Sequence, residues 1–429
     1  MYLWSVSGLS LLAMFGGLTV AGQYKPGGLC LAGFWFCLSM LVRFHSFSRG
    51  FSYTLIVVAC VTTSMYFPDF YLHLGGIPTM VFIIPILQVI MFGMGTQLSL
   101  RDFQGILKQP WGVLVGLICQ FTIMPLVGFT LATVFGFEPE IAAGLILIGS
   151  VPCGIASNVM NFIAKSNIAL SVTLTAVATL LAPVMTPLFM KILAGQFVEI
   201  EYLKMTAEIT NLVILPIMAG LMFRTISVQK PDIRSVLIHL LSFAAVIAAI
   251  AGLFAGFGVF PMENYGPRLM MQIGIFLILP IATAFLSRPL TIGYPLLFDK
   301  CLSLFSMIGL LLTIVIINAA GRDHLLQIGI LLILACLCHN LSGFLLGYWV
   351  ARLFGLDERS CRTISIEVGL QNGGLASGIA LQMGKIATVG LAPAVFGPLM
   401  NITGSSLATW WRNRPIHETD STCISSRDR

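Results

Sequence analysis

Apolar runs of membrane-crossing length follow one another along most of this 429-residue chain. They fall near 3–22, 27–44, 52–67, 77–96, 111–135, 139–164, 168–194, 205–224, 235–258, 268–287, 300–320, 325–353, 362–383 and 386–411. A helix needs roughly 20 apolar residues to cross the hydrocarbon core of a bilayer. Lipid cannot hydrogen-bond a backbone, so only helices and closed barrels span it. The runs are uniformly apolar and lack the alternation of a barrel strand, which leaves helices. The expected fold is an all-α polytopic membrane protein with about fourteen spans. Charged residues make up 9% of the chain, against about 25% in a soluble domain, so the lipid bilayer is its main solvent.

Lysine and arginine set the orientation. With fourteen spans, seventeen of the twenty-three basic residues gather on one side, among them Arg43, Arg101, Arg224, Arg288, Arg352, Arg362 and Arg412. Lys25, Lys191, Lys204, Arg268, Arg322 and Lys385 lie on the other. The positive-inside rule then places both termini in the cytoplasm. The net charge of +6 reflects those loops and gives no reason to expect nucleic acid. Residues 2–22 read as a span and not a signal peptide, since no positive charge precedes them. The ten cysteines show no metal or disulfide spacing and read as small apolar fillers. The polar segment 413–429 reads as a disordered cytoplasmic tail.

Two parts of the chain resemble each other at an offset of 219 residues. Cys119-Gln120 matches Cys338-His339, Gly128 matches Gly347, Phe135-Gly136-Phe137-Glu138 matches Phe354-Gly355-Leu356-Asp357, and Gly154 matches Gly373. On the expected topology the copies have opposite orientation, the inverted repeat of secondary transporters. Each copy contains an apolar run broken by polar and helix-weakening residues: Ser150-Val151-Pro152-Cys153-Gly154-Ile155-Ala156-Ser157-Asn158, and Glu367-Val368-Gly369-Leu370-Gln371-Asn372-Gly373-Gly374. Proline removes a backbone donor and glycine loosens the helix. Freed carbonyls then suit a cation, and half-helix N-termini suit an anion.

Glu367 is the sharpest single residue. It lies deep in an apolar run with no lysine or arginine at comparable depth. A carboxylate there costs several kcal/mol unless partnered, which leaves a bound metal cation or a proton; the plainer alternative is a protonated, hydrogen-bonded glutamic acid. Ser171 and Thr175 share a helix face at i and i+4 and offer hard oxygens, although such residues also serve as small packing groups between membrane helices. Gln120 is open to both readings. For His339 a helix-to-helix hydrogen bond is expected ahead of a proton relay.

The stretches CQFTIMP (119–125), ASNVM (156–160), ALSVTLTAVATLLAPVMTP (169–187) and EVGLQNGGLA (367–376) resemble those of the bile acid:sodium symporter family, in its bacterial type. The resemblance covers about 52–224 and 295–411. It implies ten helices in two inverted five-helix repeats, a core domain with two broken helices that cross, and a panel domain. It implies two transported sodium ions: one held by Ser157, Asn158, Ser171, Thr175 and Glu367, the other by Gln120, Glu367 and Gln371 with the backbone oxygens of Val368 and Leu370. It implies substrate contacts at Ile155, Asn158 and Asn372. Helices in 1–50 and 225–294 are additional pairs, leaving 51–224 as the first repeat with the first helix of the second, and 295–412 as the remainder. The extra pairs either widen the panel or make an oligomer contact. Many relatives carry Pro-Gly-Gly-Thr where this chain has Pro152-Cys153-Gly154-Ile155, so an apolar side chain stands where a hydroxyl could meet substrate.

The expected function is sodium-coupled symport of a small organic anion by alternating access, in a bacterial inner membrane. A small carboxylate such as pantoate or a keto acid is the preferred substrate, with a bile-acid-like anion also in the family's range. The rivals are a proton-coupled or uncoupled carrier of the same fold and a non-transporting membrane sensor. No catalytic motif is present, so no enzyme is expected.

Overall fold

The computed structural model describes residues 2–44, 52–98, 105–228 and 265–414, with scattered positions between 241 and 259. Helices fill every apolar run except 235–258, much of which lies outside the described residues, as do residues 415–429 of the expected tail. Eight helices among the described residues are long and apolar enough to cross a membrane. The chain is a multi-pass membrane protein, and large apolar side chains such as Ile330, Leu286 and Leu353 point outward from the bundle, where lipid would meet them.

The first helices are α1 (Tyr2–Val20), α2 (Tyr24–Val42), α3 (Ser52–Tyr66) and the short α4 (Pro68–Leu72). A small ribbon follows, with His73–Leu74 antiparallel to Ile77–Pro78. Gly75 and Gly76 at its tip have φ of 58° and 85°, the left-handed pair that a tight two-residue hairpin requires. Next come α5 (Ile83–Gln97), the short α6 (Gly105–Lys108) and α7 (Pro110–Val134). The first broken helix is α8 (Pro139–Ser150) and α9 (Ala156–Ile163). Then follow α10 (Ile168–Phe189), α11 (Tyr202–Ile209) and α12 (Leu215–Val228), with a π turn at Thr210–Ile214 joining the last two.

After the sparsely described region come α13 (Tyr265–Ile273), a π turn at Gly274–Ile278, α14 (Leu279–Gly293), α15 (Pro295–Ala320) and α16 (Arg322–Leu353). The second broken helix is α17 (Glu358–Gly369) and α18 (Gly373–Gln382), and α19 (Leu391–Arg412) closes the described chain. Proline opens α7, α8 and α15 at the first helical position, where its missing N–H is no loss.

The offset of 219 residues seen in the sequence recurs in the helix bounds. Residues 139–150 of α8 correspond to 358–369 of α17, and α7 and α16 end at the matching positions Val134 and Leu353. Gly136 and Gly355, the glycines that follow those ends, both have positive φ. The packing also repeats. A Cβ on Gly128 would lie 2.8 Å from the Leu145 carbonyl oxygen and 3.3 Å from Ile146 Cα. A Cβ on Gly347 would lie 3.3 Å from the Ile364 carbonyl oxygen and 3.2 Å from Ser365 Cα. Each glycine lets the long helix lie directly on the backbone of the broken one.

Among the described residues a small apolar cluster of Phe121, Cys153 and Ala178 accompanies two more extensive ones. The largest is built from α7, α8, α10 and α16 to α19, with one face of α5. The second joins α12 to Phe243, Ile247, Phe276, Leu277 and Ala284, with Phe92 and Phe298 at its edge. The N-terminal pair packs on α3, and α14 packs on α12 and α15. The helices α1, α2 and α14 therefore rest on the α3, α5, α12 and α15 side of the molecule. Close backbone contact fixes that side: a Cβ on Gly95 would lie 2.1 Å from the Ile217 carbonyl oxygen, and one on Gly220 would lie 2.1 Å from that of Phe92.

Candidate functional site

The two helix breaks meet. Cys153 forms an isolated antiparallel bridge with Gln371, and the Asn372 N–H donates to the Pro152 carbonyl at 2.9 Å. A Cβ on Gly154 would come within 3.4 Å of the Gln371 carbonyl oxygen, so the chains pass at close quarters. Pro152 breaks the first helix. In the second, Leu370 leaves helical φ and ψ, and Asn372 restarts the helix as its N-cap, its Oδ1 accepting from the Leu375 N–H at 3.0 Å. A side-chain cap is the usual way to satisfy a new helix start.

Glu367 projects from the end of α17 and is 2% exposed. Its Oε1 accepts from Ser171 Oγ at 2.6 Å and from Asn161 Nδ2 at 2.9 Å, and its Oε2 accepts from Thr175 Oγ1 at 3.0 Å. These donors sit on α9 and α10. Among the described residues no lysine, arginine or histidine pairs with it. Its partners are thus all neutral, as the lack of a basic residue at that depth predicts.

Ser157 and Asn158 complete the cluster from the first turn of α9. Asn158 Oδ1 lies 2.6 Å from Ser171 Oγ and 3.3 Å from Thr175 Oγ1. Ser157 Oγ lies 3.4 Å from Thr175 Oγ1 and donates to the Gly154 carbonyl at 2.8 Å. Ser171 has one hydroxyl proton but stands 2.6 Å from both Asn158 Oδ1 and Glu367 Oε1. With Glu367 ionised and Asn158 Oδ1 facing the hydroxyl, only one contact can be a hydrogen bond at a time, whereas a proton on Glu367 would let both form. Thr175 is in the same position, with the Ser171 carbonyl at 3.0 Å as a further acceptor. An ionised Glu367 leaves oxygens in excess of protons here, an arrangement that a small hard cation or a proton relieves. Among the described residues no three of His, Cys, Asp and Glu come together, so the donors are hydroxyl, amide and carboxylate oxygens, the hard set that suits alkali and alkaline-earth cations.

A second polar group lies against the same crossing. Gln120 Nε2 donates to the Val151 carbonyl at 3.1 Å and to Gln371 Oε1 at 2.8 Å, while Gln371 Nε2 donates to the Val368 carbonyl at 2.6 Å. Gln120 Oε1 is buried and has no partner among the described residues. Val368 and Leu370 are fully buried beside it.

Of the residues named for substrate, Ile155 and Asn158 are half-buried at the start of α9, and Asn372 is nearly buried with its carbonyl committed to the cap. His339 is buried, and its Nε2 meets the Met124 carbonyl of α7 at 2.8 Å, the helix-to-helix contact expected of it. Asn161 was missed. It follows directly on the ASNVM stretch and lies one helical turn beyond Ser157 and Asn158, so its place on the same face of α9 was readable from spacing.

The Sodium Bile acid symporter family model matches residues 84–260. The "Uncharacterized sodium-dependent transporter YocS" of Bacillus subtilis is 32% identical over 375 residues, covering 87% of this chain and 95% of that protein. The "Probable sodium/metabolite cotransporter BASS2, chloroplastic" of Oryza sativa is 30% identical over 78% of this chain and 64% of its own length. The human "Ileal sodium/bile acid cotransporter" is 28% identical over 68% of this chain and 67% of its own.

Proposed function

The chain belongs to the sodium bile acid symporter family, and we propose that it is a sodium-coupled symporter of an organic anion that works by alternating access. The observation that carries this reading is a buried Glu367 ringed by hydroxyl and amide groups, with no basic partner among the described residues. A first sodium ion would bind to Ser157, Asn158, Ser171, Thr175 and Glu367. A second would take the free Gln120 Oε1, with Glu367, Gln371 and the carbonyls of Val368 and Leu370. The names of the relatives, sodium-dependent transporter and sodium/metabolite or sodium/bile acid cotransporter, support the same coupling.

In this reading the two five-helix repeats are inverted, and their parts α7 to α10 and α16 to α19 together form the core domain. The panel is α3, α5, α12 and α15, widened by the additional helices. Sodium neutralises Glu367 and ties α9 and α10 to α17, so the crossing becomes rigid and polar without net negative charge. The anion, a small carboxylate or a bile-acid-like molecule, would then meet the start of α9 around Ile155 and Asn158 and the side-chain amide of Asn372. Core and panel would rock to expose the site on alternate faces. With two sodium ions and a monovalent anion, one net positive charge would enter per cycle, and the membrane potential would add about 2.3 kcal/mol per 100 mV.

The test is uptake of a panel of labelled carboxylates and bile acids into liposomes, with external sodium or potassium at fixed pH. Sodium-dependent uptake of at least one anion is expected. Equal uptake in potassium would overturn sodium coupling.

A further inference from the structure

Asn161 faces the cluster with its nitrogen, not its oxygen. Its Nδ2 lies 2.9 Å from Ser171 Oγ and 2.9 Å from Glu367 Oε1. On its other side Ser166 Oγ donates to Asn161 Oδ1 at 2.6 Å. The Glu367 carboxylate fixes the orientation of the amide. Turning it over would set Oδ1 against a carboxylate oxygen, whereas Ser166 Oγ could accept from the N–H2 group and give its own proton to the Asn161 main-chain carbonyl at 3.0 Å. Asn161 is fully buried and Ser166 nearly so, so no solvent stands ready to replace either bond.

We infer that Asn161, oriented by the Glu367 carboxylate and hydrogen-bonded behind by Ser166, is a positioning residue that sets sodium affinity without being a ligand, an inference that rests on the sodium reading above. Its two N–H groups hold Glu367 Oε1 and Ser171 Oγ at fixed places. Ser171 keeps one lone pair for an ion, and Glu367 keeps Oε2. The cluster's remaining lone pairs then converge before any ion arrives. Without these donors the carboxylate could swing, and each ion would have to order it on binding. Ser166 meets the cluster through Asn161, and it sits in the turn between α9 and α10. The geometry of that turn is thereby linked to the ion site.

The experiment is a sodium titration of thermal stability, at fixed pH and constant ionic strength, on wild type, Asn161→Ala, Asn161→Asp, Ser166→Ala and the double alanine variant. Partners that orient ligands typically contribute about 10–100-fold in metal affinity, so Asn161→Ala should raise the half-saturating sodium concentration at least about tenfold. Ser166→Ala should raise it less, and the double variant should match Asn161→Ala, because Ser166 has no side-chain amide left to brace. Asn161→Asp separates the roles: a ligand would keep its oxygen and its affinity, whereas a positioning donor loses both N–H groups and weakens binding at least as much as alanine does. The melting temperature without sodium reports on folding independently. If wild type responds to sodium and Asn161→Ala responds equally, or if Asn161→Asp binds as well as wild type, the inference fails and the sodium reading stands. If wild type itself shows no sodium effect, the sodium reading fails.

Discussion

Ser171 Oγ stands 2.6 Å from Glu367 Oε1, joining a helix of the first repeat to the broken helix of the second across 196 residues of sequence. The same oxygen stands 2.6 Å from Asn158 Oδ1. With Glu367 ionised, one hydroxyl proton cannot serve both, and on the proposed reading the sodium ion relieves this conflict.

Removing either hydroxyl should therefore weaken the ion without unfolding the protein. Ser171→Ala and Thr175→Val are each expected to raise the half-saturating sodium concentration about tenfold, equivalent to about 1.4 kcal/mol. The check is a sodium titration of uptake or of thermal stability. An unchanged titration in both variants would remove α10 from the ion site.

Ile155 belongs to the substrate side of the account. It is half-buried at the start of α9, and its own side chain makes no bond to the oxygen cluster. Ile155→Thr adds a hydroxyl there and is expected to shift the half-saturating concentration of the transported anion about tenfold, the scale of a single added or lost polar contact. The sodium titration should stay as in wild type. A shift in sodium and none in the anion would place Ile155 on the wrong side of the division.

Arg362 makes a structural prediction. It is buried, donates to Glu358 Oε1 at 2.8 Å and reaches the carbonyls of Trp411 and Arg414 at 3.3 Å and 3.1 Å. It thus ties the start of α17 to the end of α19. Arg362→Met should destabilise the protein by about 3–5 kcal/mol, because Glu358 is left without its charge partner. Adding Glu358→Gln should recover part of that loss. Thermal unfolding without sodium measures both, and a neutral Arg362→Met would contradict the contact.

The elements that carried strong signals in the sequence are those where polar or helix-breaking residues interrupt apolar runs. Pro152, Glu367 and the Gly373-Gly374 pair stand out because lipid makes such residues costly, and the structure breaks both helices there. Ser171 and Thr175 were readable from i, i+4 spacing, and the structure turns both toward Glu367. Less could be seen of how the helices lie on one another. That depends on backbone approach at Gly128, Gly347, Gly95 and Gly220, and an isolated glycine in an apolar run does not name its neighbour. The role of Asn161 was hidden for a related reason, since the direction of its amide is decided by Glu367, a residue on another helix 206 positions along the chain. Asn372 was expected to face substrate, but half of its amide is committed to starting α18.

The central claim is that Glu367 exists to bind sodium. It is tested most directly by thermal unfolding of purified protein in detergent, titrated with sodium or potassium at constant ionic strength, for wild type and Glu367→Gln. A ligand that binds only the folded state raises its stability by about 2.7 kcal/mol at 100 times its Kd. The account predicts a sodium-specific rise in melting temperature for wild type that is absent in Glu367→Gln. A rise of equal size in potassium, or one that persists in Glu367→Gln, would contradict it.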